Sequence, residues 1–146
     1  STYALYAQRA LLSAHEGEYL MFKIAIPVLP VKSSERAESF YGEKLGFKRA
    51  YVYRPDSKSA DPAWLGMVRD GAHVVLSSFH PDGPPGSASV QFYVEDLVAL
   101  QKQLAAVGVD LGDAQVFDQD WGNLEFNLED PDGNRINIAQ DKNAGT

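Results

Sequence analysis

Two tryptophans, three histidines and a scatter of carboxylates carry most of the chemistry open to this 146-residue chain, which has no cysteine. A divalent metal needs three or four His, Cys or carboxylate donors converging at ~2.0–2.2 Å. The histidines do not offer that pattern. His15 lies in an N-terminal segment, His73 opens a strand with side-chain parity opposite to Val74, and His80 sits in a proline-rich stretch, so each reads as structural or solvated. No Ser-His-Asp or Cys-His set assembles, and no glycine-rich phosphate loop follows a strand. Trp64 and Trp121 point to a different chemistry. Two large rings grip a conjugated, electron-poor heteroaromatic between them, and a cationic tail gains ~0.5–2 kcal/mol on a desolvated aromatic face. Trp121 follows Asp118, Gln119 and Asp120 in a polar, loop-like stretch, where binding is a more natural role than burial. For Trp64 the competing role is core packing, since a tryptophan in a strand is more often interior.

The charge balance agrees with a cationic ligand. Lysine and arginine number 13 against 20 acidic residues, a net charge of −7. That argues against nucleic acid as a partner and adds long-range attraction for a cation, although solubility alone also accounts for it. Without cysteine, disulfides and thiolate metal sites are excluded and a cytoplasmic location is allowed. No apolar stretch approaches the ~20 residues of a membrane span. Residues 1–20 lack the basic start and continuous apolar run of a signal peptide, but Tyr3, Ala7, Leu11 and Ala14 recur at helical spacing. This predicts an N-terminal helical extension packed on the domain or on a partner subunit.

The elements that must position the tryptophans repeat. Phe22 to Val31 reads as a strand confined to an edge or to irregular pairing by Pro27 and Pro30. Ser33 or Ser34 caps an amphipathic helix whose stripe is Ala37, Phe40, Tyr41 and Leu45, ended by Gly46. Residues 47–54 form a strand, 55–62 a polar loop, and 63–69 with 73–79 a hairpin around Asp70-Gly71. His80 to Gly86 is a rigid connector. Then the order starts again: a strand at 89–94, a helix capped by Asp96 and striped by Leu97, Leu100, Leu104 and Val107, and strands near 114–119, 123–129 and 134–140. Val31 and Val94 are 63 positions apart, and the helix-ending Gly46 and Gly108 are 62 apart. The parse is a single α+β domain of two βαβββ modules, about 21–80 and 87–142, forming a curved mixed sheet around a concave pocket.

Ile26-Pro27-Val28-Leu29-Pro30-Val31, Ser39-Phe40-Tyr41, Lys44-Leu45-Gly46-Phe47 and Asp130-Pro131-Asp132-Gly133-Asn134, at these separations, resemble the glyoxalase, bleomycin-resistance and extradiol dioxygenase superfamily. The likeness covers about residues 22–140, with Met21 where such domains usually begin. Enzymes of that superfamily hold a metal with His, Gln or Glu from the opening strand and a later strand of each half. The matching positions here are Ile26, Ser77 or Ser78, Ser89 and Asn137, an isoleucine, serines and an amide that make a poor ligand field. The resemblance therefore implies neither metal nor other cofactor. It is nearest the metal-free bleomycin-binding resistance proteins, through Trp64-Leu65-Gly66-Met67-Val68-Arg69-Asp70, Leu76-Ser77, and Trp121-Gly122 followed by Glu125-Phe126.

That resemblance implies that Trp64 and Trp121 sandwich the flat part of a drug, that Ser77 hydrogen-bonds it, and that pockets form between the subunits of a homodimer, with the edge strand 22–31 available to swap. Strand alternation adds Phe79 beside Ser77, and Gln91 and Tyr93 beside Ser89, giving a shared concavity of Ser77, Phe79, Gln91 and Tyr93. The implied function is stoichiometric sequestration of a bleomycin-like or other flat cationic aromatic compound. Two other readings stay open: a metal-dependent lyase, isomerase or thiol transferase using Glu125 or Glu129 with a histidine, and an accessory domain for a metabolite or partner protein.

Overall fold

A computed structural model describes residues 20–111 and 116–142. The N-terminal helix expected over 1–20 therefore lies almost wholly outside the described residues. Two four-stranded sheets, each with one parallel and otherwise antiparallel pairing, carry the two halves. In the first, the strands β1 (Val28–Pro30), β2 (Lys48–Tyr53), β3 (Trp64–Arg69) and β4 (Ala72–Ser77) lie in the order β1-β4-β3-β2. In the second, β5 (Ser89–Tyr93), β6 (Phe117–Asp118), β7 (Asn123–Glu129) and β8 (Arg135–Asp141) lie in the order β5-β8-β7-β6. The repeat legible in the sequence is thus a repeat of topology. Its register is visible in the backbone: Val31 donates to the Ser77 carbonyl and Val94 to the Ala139 carbonyl, each at 2.8 Å.

Helix α1 (Ser34–Ser39) starts at Ser33, whose hydroxyl accepts from the Arg36 N–H, and α2 (Leu97–Ala106) starts at Asp96, whose carboxylate accepts from Ala99. The expected three-turn first helix is only partly α-helical. From Phe40 to Lys44 it widens into a π turn with Leu45 N–H on the Phe40 carbonyl, before Gly46 reverses the chain at φ +75°. Asp70, at φ 49°, turns the β3–β4 hairpin.

The opening strand is a correction: it spans three residues, not ten. Pro27 and Pro30 have no N–H to give a ladder, and the structure uses their carbonyls instead, Pro27 accepting from Val75 and Pro30 from Gly86 and the Asn134 side chain. Upstream of Pro27 the chain leaves the sheet, and Phe22 is 94% exposed.

One face of each sheet is buried with the helices in a common core that includes Leu29, Tyr41, Leu65, Met67, Leu76, Leu97, Leu104, Phe126, Ile136 and Ile138. Polar contacts around the Asp130–Asn134 turn help tie the halves together. Tyr41 Oη donates to Asp130 at 2.9 Å, Asn134 Nδ2 to Pro30 O at 2.8 Å, and Arg36 pairs with Asp132 at 2.8 Å. Among the described residues no helix is long and apolar enough to cross a membrane.

Candidate functional site

The face of each sheet turned away from that core is only partly open, with Ser77 and Ala139 buried and Tyr53, Tyr93 and Phe117 exposed, and the registers say which residues share it. On the first sheet one row runs Pro30, Ser77, Trp64, Tyr53 across β1-β4-β3-β2. On the second the corresponding row runs Tyr93, Ala139, Glu125, Phe117 across β5-β8-β7-β6. The same frame thus presents two chemistries.

The first open face is aromatic. Tyr53 and Phe79 lie with ring planes 6° apart and centroids at 6.4 Å, and with Trp64, Pro81 and Asp82 they line a cleft of about 310 Å³. Next to it the Tyr51 ring covers Gly66, and its hydroxyl meets His73 Nε2 at 2.9 Å, so His73 is a strand residue with a phenol partner. Ser77 belongs to the row but is only 1% exposed: its hydroxyl donates to Asp82 Oδ2 at 2.5 Å and accepts the Phe79 N–H. It therefore holds the turn His80–Asp82 against the sheet rather than standing free for a ligand.

The second open face is polar. Gln91 donates to Asn137 Oδ1 at 2.8 Å, and Asn137 donates to Asn127 Oδ1 and to Glu125 Oε1. Glu125, 6% exposed, also accepts from Trp121 Nε1 at 2.8 Å and from Asn123, whose amide reaches Tyr93 Oη as well. Burial pushes the Glu125 carboxyl up, but the donors Trp121, Asn137 and Asn123 outweigh it and hold the carboxyl below its ordinary value. The Trp121 indole, 61% exposed, is thus a plate fastened at its N–H edge.

The six residues singled out from the sequence fall into two groups, Trp64, Ser77 and Phe79 on the first sheet and Gln91, Tyr93 and Trp121 on the second. Among the described residues no hydrogen bond or ring contact joins the two groups within one protomer. Tyr53 and Asp82 were missed. Tyr53 has the same strand parity as Tyr51, a signal the sequence did carry, whereas nothing in His80-Pro81-Asp82 announces the bond to Ser77.

The donor set does not fit a divalent metal. Asn137, where the enzymes of the superfamily place a carboxylate, spends its amide on Gln91, Glu125 and Asn127, and the Ser78 hydroxyl donates to Asp61 at 2.6 Å. Among the described residues no three His, Cys, Asp or Glu side chains come together.

Known proteins match this architecture. The family model described as "Glyoxalase superfamily protein" matches residues 13–145. A bleomycin resistance protein of Geobacillus stearothermophilus is 26% identical over 135 residues, covering 80% of this chain and 95% of that protein. The structure of an antibiotic-binding protein, TnmS3, from a Streptomyces species aligns with TM-score 0.60 and 27% identity over 84% of this chain and 99% of that one. The bleomycin-binding protein of Streptomyces verticillus, complexed with copper(II)-bleomycin, shares the fold with TM-score 0.61 and 22% identity over 82% of this chain and 97% of that one. With the family model spanning nearly the whole sequence, the strand-helix-strands repeat and its two open faces have a lineage: the chain belongs to the glyoxalase superfamily.

Proposed function

We propose that this protein is a cytoplasmic homodimer that binds a flat, cationic aromatic antibiotic of the bleomycin type and sequesters it unchanged. The observation that carries this reading is the pair of open faces, one bearing a half-buried Trp64 among aromatic rings and the other an exposed Trp121 fixed by Glu125. Each face alone is half a pocket. In a dimer the first sheet of one copy meets the second sheet of the other, so that Trp64 and Trp121 of different subunits close on a planar group while Gln91 and Tyr93 supply polar contacts. The relatives that bind or resist bleomycin support the ligand class, and the amide and hydroxyl groups at the metal positions support binding over catalysis.

Titration of tryptophan fluorescence with metal-free and copper-loaded bleomycin tests the proposal. Saturable quenching is expected, weakened by both Trp64→Ala and Trp121→Ala. An unchanged signal at micromolar drug, or activity that depends on an added divalent ion, would sink it.

A further inference from the structure

A slip in one strand gives the helix side of the first sheet a charged crevice of its own. β2 pairs Arg49 with Met67 and Val52 with Leu65, and the register shifts between Arg49 and Tyr51. Met67 and Leu65 are buried in the core, so Arg49 and Val52 share the helix side. Alternation from Val52 sends Arg54 the same way, while Tyr51 and Tyr53 take the other face. There Arg49, Arg54 and the loop 55–62 meet α1 around a crevice of about 430 Å³, on the side of β2 away from Trp64. That volume falls within the ~300–1,000 Å³ of small-molecule sites.

The walls are fixed by bonds of their own. Arg54 Nε donates to the Ala60 carbonyl at 2.9 Å, Ser59 Oγ to the Asp61 carbonyl at 2.7 Å, and the Lys58 N–H to Asp56 Oδ1 at 2.9 Å. The loop is tied to the start of α1, where Asp61 Oδ1 accepts the Ser34 N–H at 3.0 Å and Ser34 Oγ donates to the Ala60 carbonyl at 3.1 Å. On the helix wall Glu35 and Glu38 stand three residues apart, on one face of α1. Arg49 takes up Glu38 in a two-pronged pair at 2.6 and 2.7 Å and, against partial burial, holds its carboxyl below the ordinary value.

Charge of both signs is left uncommitted. Among the described residues the Glu35 carboxylate and the Lys58 ammonium make no hydrogen bond or ion pair, and of the Arg54 guanidinium only Nε is bonded. Three of the 13 basic residues of a chain with net charge −7 line this crevice, so an acidic protein has here a place for an oxyanion. A simple anion would be repelled by Glu35, and a simple cation by Arg54 and Lys58. A molecule carrying both charges answers both walls.

We propose that this crevice binds a small amino-acid-like zwitterion, its carboxylate on the Arg54 fork and Lys58 and its ammonium on Glu35. The site is separate from the aromatic and polar faces and does not depend on what they bind.

The test titrates the full chain with glycine, β-alanine and γ-aminobutyrate, which step the distance between the two charges, against butyrate and butylammonium, which carry one charge each, by ligand-observed NMR. At least one zwitterion is expected to bind about fivefold more tightly than either single-charge analogue, as a second, partly exposed ion pair allows. Glu35→Gln should remove that preference over butyrate. Lys58→Gln should weaken the zwitterion and butyrate alike and spare butylammonium. Neither side chain has a partner among the described residues, so both variants should unfold at the wild-type temperature. Trp64→Ala should leave zwitterion binding intact. Equal affinity for all the probes, a preference indifferent to Glu35→Gln and Lys58→Gln, or one lost in folded Trp64→Ala, overturns the site.

Discussion

Trp121 Nε1 donates to Glu125 Oε2 at 2.8 Å, and that one bond turns an exposed indole into an oriented surface. Replacing Glu125 with Gln leaves a single acceptor oxygen for three donors, Trp121, Asn123 and Asn137. A buried donor left without its acceptor costs about 1–3 kcal/mol. Glu125→Gln should lower stability by that order and shift the Trp121 indole N–H resonance, assigned through Trp121→Phe.

The same carboxylate gives a pH dependence of definite sign. Its folded pKa is held below the ordinary 4.5 by those donors, so its contribution is present above that value and is lost as the pH falls through the depressed one. Acid unfolding followed by circular dichroism should show wild type losing its stability advantage over Glu125→Gln as the pH drops below about 4.5. A constant advantage at every pH would refute the role of ionised Glu125.

Tyr41 is fully buried and its hydroxyl reaches Asp130 across the two halves. Burial and the neighbouring Asp130 push its pKa well up, so it stays a neutral donor. Tyr41→Phe removes the donor and keeps the ring, and should cost about 0.5–1.5 kcal/mol, measured by urea unfolding, since Asn134 Nδ2 still donates to the same Asp130 oxygen.

Gly66 lies under the Tyr51 ring, and an added Cβ would sit 2.3 Å from its Cζ. Gly66→Ala must therefore expel Tyr51 and break its bond to His73. A loss of about 1–3 kcal/mol in thermal or urea unfolding is expected, with Gly66→Ala/Tyr51→Ala recovering part of it.

Gly86, at φ +83°, brings the connector onto the turn of the second half, where a Cβ would collide with the Asp132 carbonyl. Both strain and collision act against Gly86→Ala, which should destabilise by more than 1 kcal/mol, whereas the same change at Gly71, with open space around it, should stay within about 0.5 kcal/mol.

Local chemistry made most of the frame legible. Capping at Ser33 and Asp96, the Asp70-Gly71 turn and the strands near 123–129 and 134–140 are set by neighbours in sequence, and the structure realises them. What escaped depended on partners far along the chain. Phe22 to Ile26 has the composition of a strand but no ladder to join, since β4 pairs with Val28 to Pro30 and reaches back only to the Pro27 carbonyl. Ser77 and Asp82 are five residues apart, yet their bond exists because a proline turn folds back over the sheet. The sequence likewise places the two tryptophans in different halves without revealing that the halves form separate sheets, because pairing between distant strands decides that.

Val31 on Ser77 and Val94 on Ala139 are the same bond made twice, while the rows beside them have diverged into rings on one side and amides on the other. Scaffold and decoration are therefore separable. Substitutions on either of these faces can change its chemistry without resetting the backbone of the sister half, which leaves the duplicated architecture free to vary one half at a time.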